Sequence, residues 1–340
     1  MNRQAFLAEH PGLFLLDVAD APGLARYLAN RGVLGDGEAL VQVAKAGAGN
    51  MNCTVRATLG QRTLIVKQAR PWVEKYDHIA APWNRSHVEA AFYVVAASEP
   101  ALARQMPRLL HADADSRVIV LEDIGGSDLT SLYRGAVLAD EDCRALVAYL
   151  ATLHCVTVPA RDRTLLANRE MRALNHDHMF HVPLMPANGL ALDEITPGLQ
   201  SLADDLKGDH EYVGRVAALG SIYLADGAHL VHGDFFPGSW LRSTRGIVVI
   251  DPEFCFIGRG EFDFGVMIAH VLFARQPEPL VQAVLRALPD TYNGGLTRQF
   301  AGVEIMRRLI GVAQLPLQLT LDQKSGLLTQ SRQLVLGEWP

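Results

Sequence analysis

Leu230-Val231-His232-Gly233-Asp234 and, a little further on, Ile247-Val248-Val249-Ile250-Asp251-Pro252-Glu253 decide how this chain is read. Each is a short apolar run, the kind that forms a buried strand, delivered straight into polar residues. An aspartate leaving a strand end can accept a proton from a substrate hydroxyl and align it for attack. Two such ends side by side offer one carboxylate to a nucleophile and one to a metal ion. Glu253, two residues beyond Asp251 in an extended segment, projects to the same side and adds a second oxygen ligand. Alone, each carboxylate is more often a turn cap or a surface ion pair, so the chemistry rests on what lies upstream.

Upstream, residues 40–45, 53–59 and 63–68 read as short strands, following a helix predicted over 21–32. The first two are separated by Ala46-Gly47-Ala48-Gly49-Asn50-Met51-Asn52. Glycines there let backbone N–H groups approach an anion such as a nucleotide phosphate. Taken alone, the loop reads first as a hairpin turn rich in glycine and asparagine. It is not a Walker loop, since no Gly-Lys-Ser/Thr follows, nor a dinucleotide fingerprint, since a strand comes next. Lys67 ends the run Leu64-Ile65-Val66, and Glu89 lies on a helix predicted over 86–97 with Ser86 as its cap. Glycine loop, strand lysine and helix glutamate, in that order, hold an ammonium group over phosphates. With a further strand over 118–121, the first 120 or so residues form a β-rich unit carrying one prominent helix.

Helices dominate from residue 140, over 140–157, 190–206, 211–225, 262–274, 300–314 and 322–336. Residues 175–189, with His176, His178, His181 and two prolines, read as a solvated irregular loop. The chain has 340 residues, 49% hydrophobic and 20% charged, which excludes disorder and supplies a core. Its 31 basic against 37 acidic side chains give a net charge of −6, which argues against a nucleic-acid or polybasic membrane binder. Cys53, Cys143, Cys155 and Cys255 have no metal-ligand spacing and read as reduced thiols of a cytoplasmic protein. Neither a signal peptide nor an apolar run of about 18 residues is present.

These motifs together resemble the eukaryotic-type kinase fold in its small-molecule branch, the aminoglycoside/choline kinase superfamily, and most nearly the 5-methylthioribose kinase family. Gly49-Asn50-Met51-Asn52 is similar to that family's glycine loop ending in Asn-x-Asn, and Lys67-Gln68-Ala69 to its strand lysine followed by Gln-Ala. His232 to Ser239 resembles its catalytic loop His-Gly-Asp-x-x-x-Gly-Ser, and Asp251-Pro252-Glu253-Phe254 its metal motif. Phe262-Asp263-Phe264-Gly265 and the pair Arg307-Arg308, followed by Gly311 and Ala313, have counterparts too, so the resemblance runs from about Gly47 to the C-terminus.

It implies a two-lobed protein-kinase-like α+β fold, with a nucleotide-binding lobe over 1–123, a helical lobe over 124–340 and nucleotide against the connector 120–123. Gly47, Gly49, Asn50 and Asn52 would cover the phosphates of ATP, Lys67 held by Glu89 would bind them, and Glu122 would join the nucleotide contacts. Asp234 would deprotonate the acceptor hydroxyl, while Asp251 and Glu253 would hold Mg²⁺. Ser239 stands where most relatives place a metal-binding asparagine and joins the metal set as a weak ligand for which Glu253 makes up. Arg307 and Arg308, about 100° apart around a helix, read on residues alone as an exposed basic pair. The resemblance places them at the active site, stabilising transferred charge.

Asp263-Phe264-Gly265 spells the protein-kinase magnesium motif, yet it begins a helix, so Asp263 is expected to buttress the catalytic loop; His232 is likewise expected to be structural. The implied activity is ATP- and Mg²⁺-dependent phosphorylation of a small sugar-like substrate, 5-methylthioribose at its C1 hydroxyl or a related 5-modified pentose, by a homodimer. An aminoglycoside, choline or homoserine-type phosphotransferase and a non-catalytic nucleotide-binding module are the alternatives; a protein kinase is disfavoured, since no activation segment follows Asp251. Phe235, Phe236 and Trp240 are bulkier than the family's residues and are expected to reshape the sugar pocket. The insert after Pro71 has no counterpart.

Overall fold

Alternating side chains sort the early strands into one antiparallel sheet in the computed structural model, which describes residues 6, 8–47, 51–315 and 317–338. β1 (Leu40–Lys45), β2 (Cys53–Leu59) and β3 (Arg62–Gln68) come first. The insert after Pro71 folds as a separate hairpin of β4 (Trp72–Val73) and β5 (Tyr76–Ala80). β6 (Leu109–Asp113) and β7 (Val118–Glu122) complete the sheet, whose spatial order is β1-β2-β3-β7-β6. Val55, Ala57, Leu64, Val66, Val118 and Val120 face one side and pack with Leu24, Tyr27 and Leu28 of the helix Ala21–Asn30. Ile65, Ile119 and Leu121 turn the other way, into the main core. Lys67, two residues beyond Ile65 on β3, shares that second face.

The helix Arg85–Ala96 lies against the main core through Val88, Phe92, Tyr93 and Val95. Its N-cap is Asn84, not Ser86; Ser86 is buried inside the first turn and caps nothing. β8 (Ser127–Asp128), β9 (His229–Val231), β10 (Trp240–Ser243), β11 (Gly246–Val249) and β12 (Phe256–Gly258) make a small sheet β11-β10-β8 and a pair β12-β9 among the later helices. Among the described residues no helix is long and apolar enough to cross a membrane.

Three helix expectations change. The span 190–206 divides into Leu192–Ile195 and Leu199–Gly208, because Pro197 disfavours helical backbone at Thr196, which is extended. The span 175–189 is a loop only over 185–189. The helix Arg169–His176 runs on through a wide π turn (Asp177–His181) into Val182–Leu184, with Met179 and Phe180 buried. His176 stacks on Phe180 with ring centroids 5.4 Å apart, so an aromatic contact orders a segment whose composition looks polar. The span 300–314 becomes Gly294–Ile310: Asn293 caps it by accepting from the Leu296 N–H (3.0 Å), a helix start hidden in Asn-Gly-Gly.

The helices Glu261–Phe273 and Gly294–Ile310 touch at Gly265, where an added Cβ would lie 2.7 Å from Phe300 Cβ and 2.8 Å from the Thr297 carbonyl oxygen. Gly265→Ala is therefore expected to destabilise by about 1–3 kcal/mol, the clash with backbone exceeding the gain in helix propensity. A lowered calorimetric melting temperature checks this; an unchanged or raised one shows that the helices have room.

Candidate active site

Lys67 carries the first cluster. β3 sits between β2 and β7, with Lys67 opposite Thr54 and Ile119, so its ammonium emerges from the middle of a sheet. It donates to Glu89 Oε1 (2.6 Å) on the helix Arg85–Ala96 and to Asp251 Oδ1 (2.7 Å). Burial opposes its charge, but the carboxylates of Asp251 and Glu89 outweigh that and push its pKa up. Burial raises the pKa of Glu89, against the pull of Lys67. Asp251 follows β11 in a left-handed conformation (φ 62°), which aspartate tolerates better than most residues. Its side chain stays 45% exposed while that of Lys67 is 6% exposed, so the carboxylate borders open space.

Glu253 stands beside them. Asn52 Nδ2 donates to its Oε2 (2.8 Å), and Asn168 Nδ2 donates to the carbonyls of Glu253 (3.2 Å) and Cys255 (2.8 Å), holding the turn. Burial pushes the Glu253 carboxyl up to about 7 despite Lys67 and Arg85. Asp251 and Glu253 form a hard, all-oxygen donor set. Among the described residues no group of three or more His, Cys, Asp or Glu side chains is placed to hold a metal ion by itself. Two carboxylates with the other positions left to phosphate oxygens and water is the environment magnesium prefers, so the residues present fit that ion.

Asp234 carries the second cluster. Its Oδ1 accepts from Arg308 Nη2 (2.7 Å) and Arg307 Nη2 (3.1 Å), and among the described residues Oδ2 has no donor. Both arginines are buried, contrary to their reading as an exposed pair, because Glu304 on the same helix is buried with them. Glu304 accepts from Arg308 Nε (2.8 Å) and, through its other oxygen, from Arg307 Nε. Burial opposes the carboxylate of Glu304, but the two guanidinium groups hold its pKa well below the ordinary range. His270 Nε2 is 3.0 Å from Glu304 Oε1 and His270 Nδ1 is 2.6 Å from the Tyr133 hydroxyl. Burial lowers the pKa of His270, so it is read as neutral, donating to Glu304 and accepting from Tyr133.

The two clusters are joined through backbone. His232 Nε2 bonds the Ile250 carbonyl (3.0 Å) and the Ile250 N–H donates to the Ser239 carbonyl (3.0 Å), so Asp234 and Asp251 leave adjacent segments. Asp263 accepts from the His232 N–H (2.7 Å), the Gly233 N–H (2.9 Å) and His154 Nε2 (3.0 Å), the buttressing position expected of it. Burial depresses the pKa of His232, and its Nδ1 faces the Asp234 N–H (3.4 Å), so both ring nitrogens serve the loop. Gly233 has φ 85°, and a Cβ there would lie 2.0 Å from the Phe254 carbonyl oxygen; only glycine lets the loop pass that close.

Other expected site residues lie elsewhere. Gly47 opens its loop at φ 65°, and Gly49 and Asn50 lie outside the described residues. Asn52 is buried and turned to Glu253 and Arg85 rather than outward. Ser239 Oγ donates to the Asp234 carbonyl (3.1 Å) and braces the loop. The Glu122 carboxylate faces the Arg108 N–H (3.2 Å) and Arg245 Nη1 (3.4 Å), away from Lys67. Phe235 and Trp240 are fully buried, Phe235 stacked on Tyr149 and Trp240 tilted against Phe235. Phe236 alone of the three bulky residues borders the site, with the Arg308 guanidinium 4.9 Å from its ring centroid. Glu304 was legible as Glu-x-x-Arg-Arg, the spacing that puts a carboxylate beside both cations; Arg85, His270 and Asn168 carry no local signal.

Residues 42–295 match the family model described as the phosphotransferase enzyme family. Curated relatives include a methylthioribose kinase of Exiguobacterium sibiricum, 29% identical over 252 residues that cover 70% of this chain and 62% of that protein. Another, from Erwinia tasmaniensis, is 26% identical over 274 residues, 75% of this chain and 65% of that protein. The chain thus spans a little under two thirds of the length of these relatives. Among solved structures it resembles the AMP-bound spectinomycin phosphotransferase (TM-score 0.55, 10% identity, 94% of this chain and 99% of that one). The choline kinase of Streptococcus pneumoniae is similar (TM-score 0.52, 12% identity, 92% and 98%). These likenesses establish the two-lobed, protein-kinase-like α+β fold. The chain belongs to the phosphotransferase enzyme family.

Proposed function

We propose that this protein transfers the γ-phosphoryl group of ATP to a hydroxyl of a small neutral sugar, the C1 hydroxyl of 5-methylthioribose or of a related 5-modified pentose. The observation that carries the reading is Asp234, with one oxygen gripped by two buried arginines and the other without a donor, beside a lysine–carboxylate cluster suited to phosphates. Nucleotide lies between residues 1–123 and 124–340, against the connector 120–123. Lys67, held by Glu89, binds its phosphates, and Gly47 covers them. Asp234 takes the proton of the acceptor hydroxyl as that oxygen bonds to phosphorus and the bond to the departing ADP breaks. Arg307 and Arg308 offset negative charge on the moving group. Magnesium, held by Asp251 and Glu253 when bound, neutralises phosphate charge. Two cations matched by the carboxylates of Asp234 and buried Glu304 leave the acceptor side without the acidic excess a cationic alcohol requires. The reaction belongs to the cytoplasm, in keeping with four unpaired cysteines.

The test is ATP consumption with 5-methylthioribose, choline and spectinomycin as acceptors, the product located by phosphorus NMR. Turnover of methylthioribose to a C1 phosphate is expected. Turnover of a cationic acceptor alone overturns the substrate, and nucleotide binding without transfer to any acceptor overturns the activity.

A further inference from the structure

Arg85 has the most heavily bonded side chain near the site, and nothing in the reaction uses it. It opens the helix Arg85–Ala96 and is fully buried. Its guanidinium donates to Asn52 Oδ1 through Nε (2.8 Å), to the Met51 (2.8 Å) and Trp72 (3.4 Å) carbonyls through Nη2, and to the Arg70 (2.6 Å) and Pro82 (2.8 Å) carbonyls through Nη1. One cation therefore gathers the end of the glycine loop, the root of the β4–β5 hairpin and the entry to the helix. The hairpin adds its own tie, the Glu74 N–H donating to the Met51 carbonyl (3.3 Å).

The consequence lies at Asn52. With its Oδ1 fixed by a donor, its amide can only present N–H groups on the other side, and Nδ2 meets Glu253 Oε2 at 2.8 Å. Arg85 Nε is itself 3.8 Å from that same oxygen. Asn52 donates to Oε2 and the Arg85 charge faces the same oxygen, while among the described residues no donor is bonded to Oε1. A ligand carboxylate oriented by a neighbour's hydrogen bond binds its ion more tightly than a free one, and removing such a neighbour weakens metal affinity about 10- to 100-fold.

We propose that Arg85 and Asn52 are positioning residues for Glu253: the amide, oriented by the arginine, turns the carboxylate so that Oε1 is offered to the divalent cation that accompanies nucleotide. Asn52 then acts on the cation and not on the phosphates, and the inserted hairpin becomes part of the device. The inference rests on the phosphoryl-transfer reading above.

Calorimetric titration of the whole chain with ADP, with and without saturating Mg²⁺, tests it. Wild type is expected to bind ADP more tightly with the ion. Asn52→Ala should lose at least tenfold in affinity for ADP with Mg²⁺ while its affinity for metal-free ADP stays within twofold. In a Glu253→Gln background the same substitution should add no further loss, since its route is gone. Arg85→Lys, its melting temperature read first, should show the same metal-selective loss; because an ammonium cannot reproduce all the bonds of that buried guanidinium, Asn52→Ala carries the test alone. Equal losses with and without the ion, no loss at all, or a full additional loss beside Glu253→Gln would overturn the proposal. Wild type that binds no ADP would instead overturn the functional reading beneath it.

Discussion

Asp234→Asn is expected to lower kcat by about 10²- to 10⁴-fold while leaving ADP affinity within a few-fold of wild type. The amide has the shape of the carboxylate and can still accept from Arg308 and Arg307, 2.7 and 3.1 Å away, so the loop should keep its place. What it loses is the capacity to take the hydroxyl proton, worth about two to four orders of magnitude in general base catalysis. The nucleotide contacts proposed above lie on the other cluster, around Lys67 and Asp251, which the substitution does not touch. Steady-state kinetics paired with ADP titration check both halves. Near-normal turnover would show that the departing phosphate supplies its own base, and a matching loss of ADP affinity would show that the substitution had disturbed the whole cleft.

Glu304→Ala should be the most damaging single change to stability near the site. Glu304 is fully buried and accepts from both arginines and from His270. Removing it leaves two buried guanidinium groups with the carboxylate of Asp234 as their one remaining anionic partner among the described residues. Breaking a buried ion pair from one side costs about 3–5 kcal/mol, because the partner charge stays behind without compensation. Glu304→Gln keeps the volume and softens the loss, yet its amide N–H₂ must face guanidinium donors on one side. That variant should fold with kcat reduced at least tenfold, since the arginines lose the anchor that aims them at Asp234. Urea denaturation reads the first effect and acceptor kinetics the second. A stable Ala variant with wild-type turnover would show that Asp234 alone holds the pair.

Much of this site was legible along the chain because its residues sit where strands end. Lys67 after Leu64-Ile65-Val66, Asp234 after Leu230-Val231 and Asp251 after the run to Ile250 each follow from local hydrophobic pattern. Asp263 was recognisable as structural because its motif begins a helix, and it does hold the backbone of His232 and Gly233. The same local logic misread residues 175–184, where a stacked pair of His176 and Phe180 outweighs polar composition. It could not see that Phe235 and Trp240 leave the pocket to Phe236, since which face of an aromatic is covered depends on Tyr149, far away in the chain.

Order and residue type along the chain by themselves determined that sheet precedes helices, and which carboxylates and lysine stand at strand ends, because backbone preference and periodicity act over a few residues. Only the tertiary structure decided that Arg307 and Arg308 are buried cations aimed at Asp234, and that the Asn52 amide donates to Glu253. Those outcomes rest on desolvation and on hydrogen bonds between segments distant in sequence, such as Asn52 with Glu253 and Arg308 with Asp234. Such energies exist only once the chain has brought the partners together.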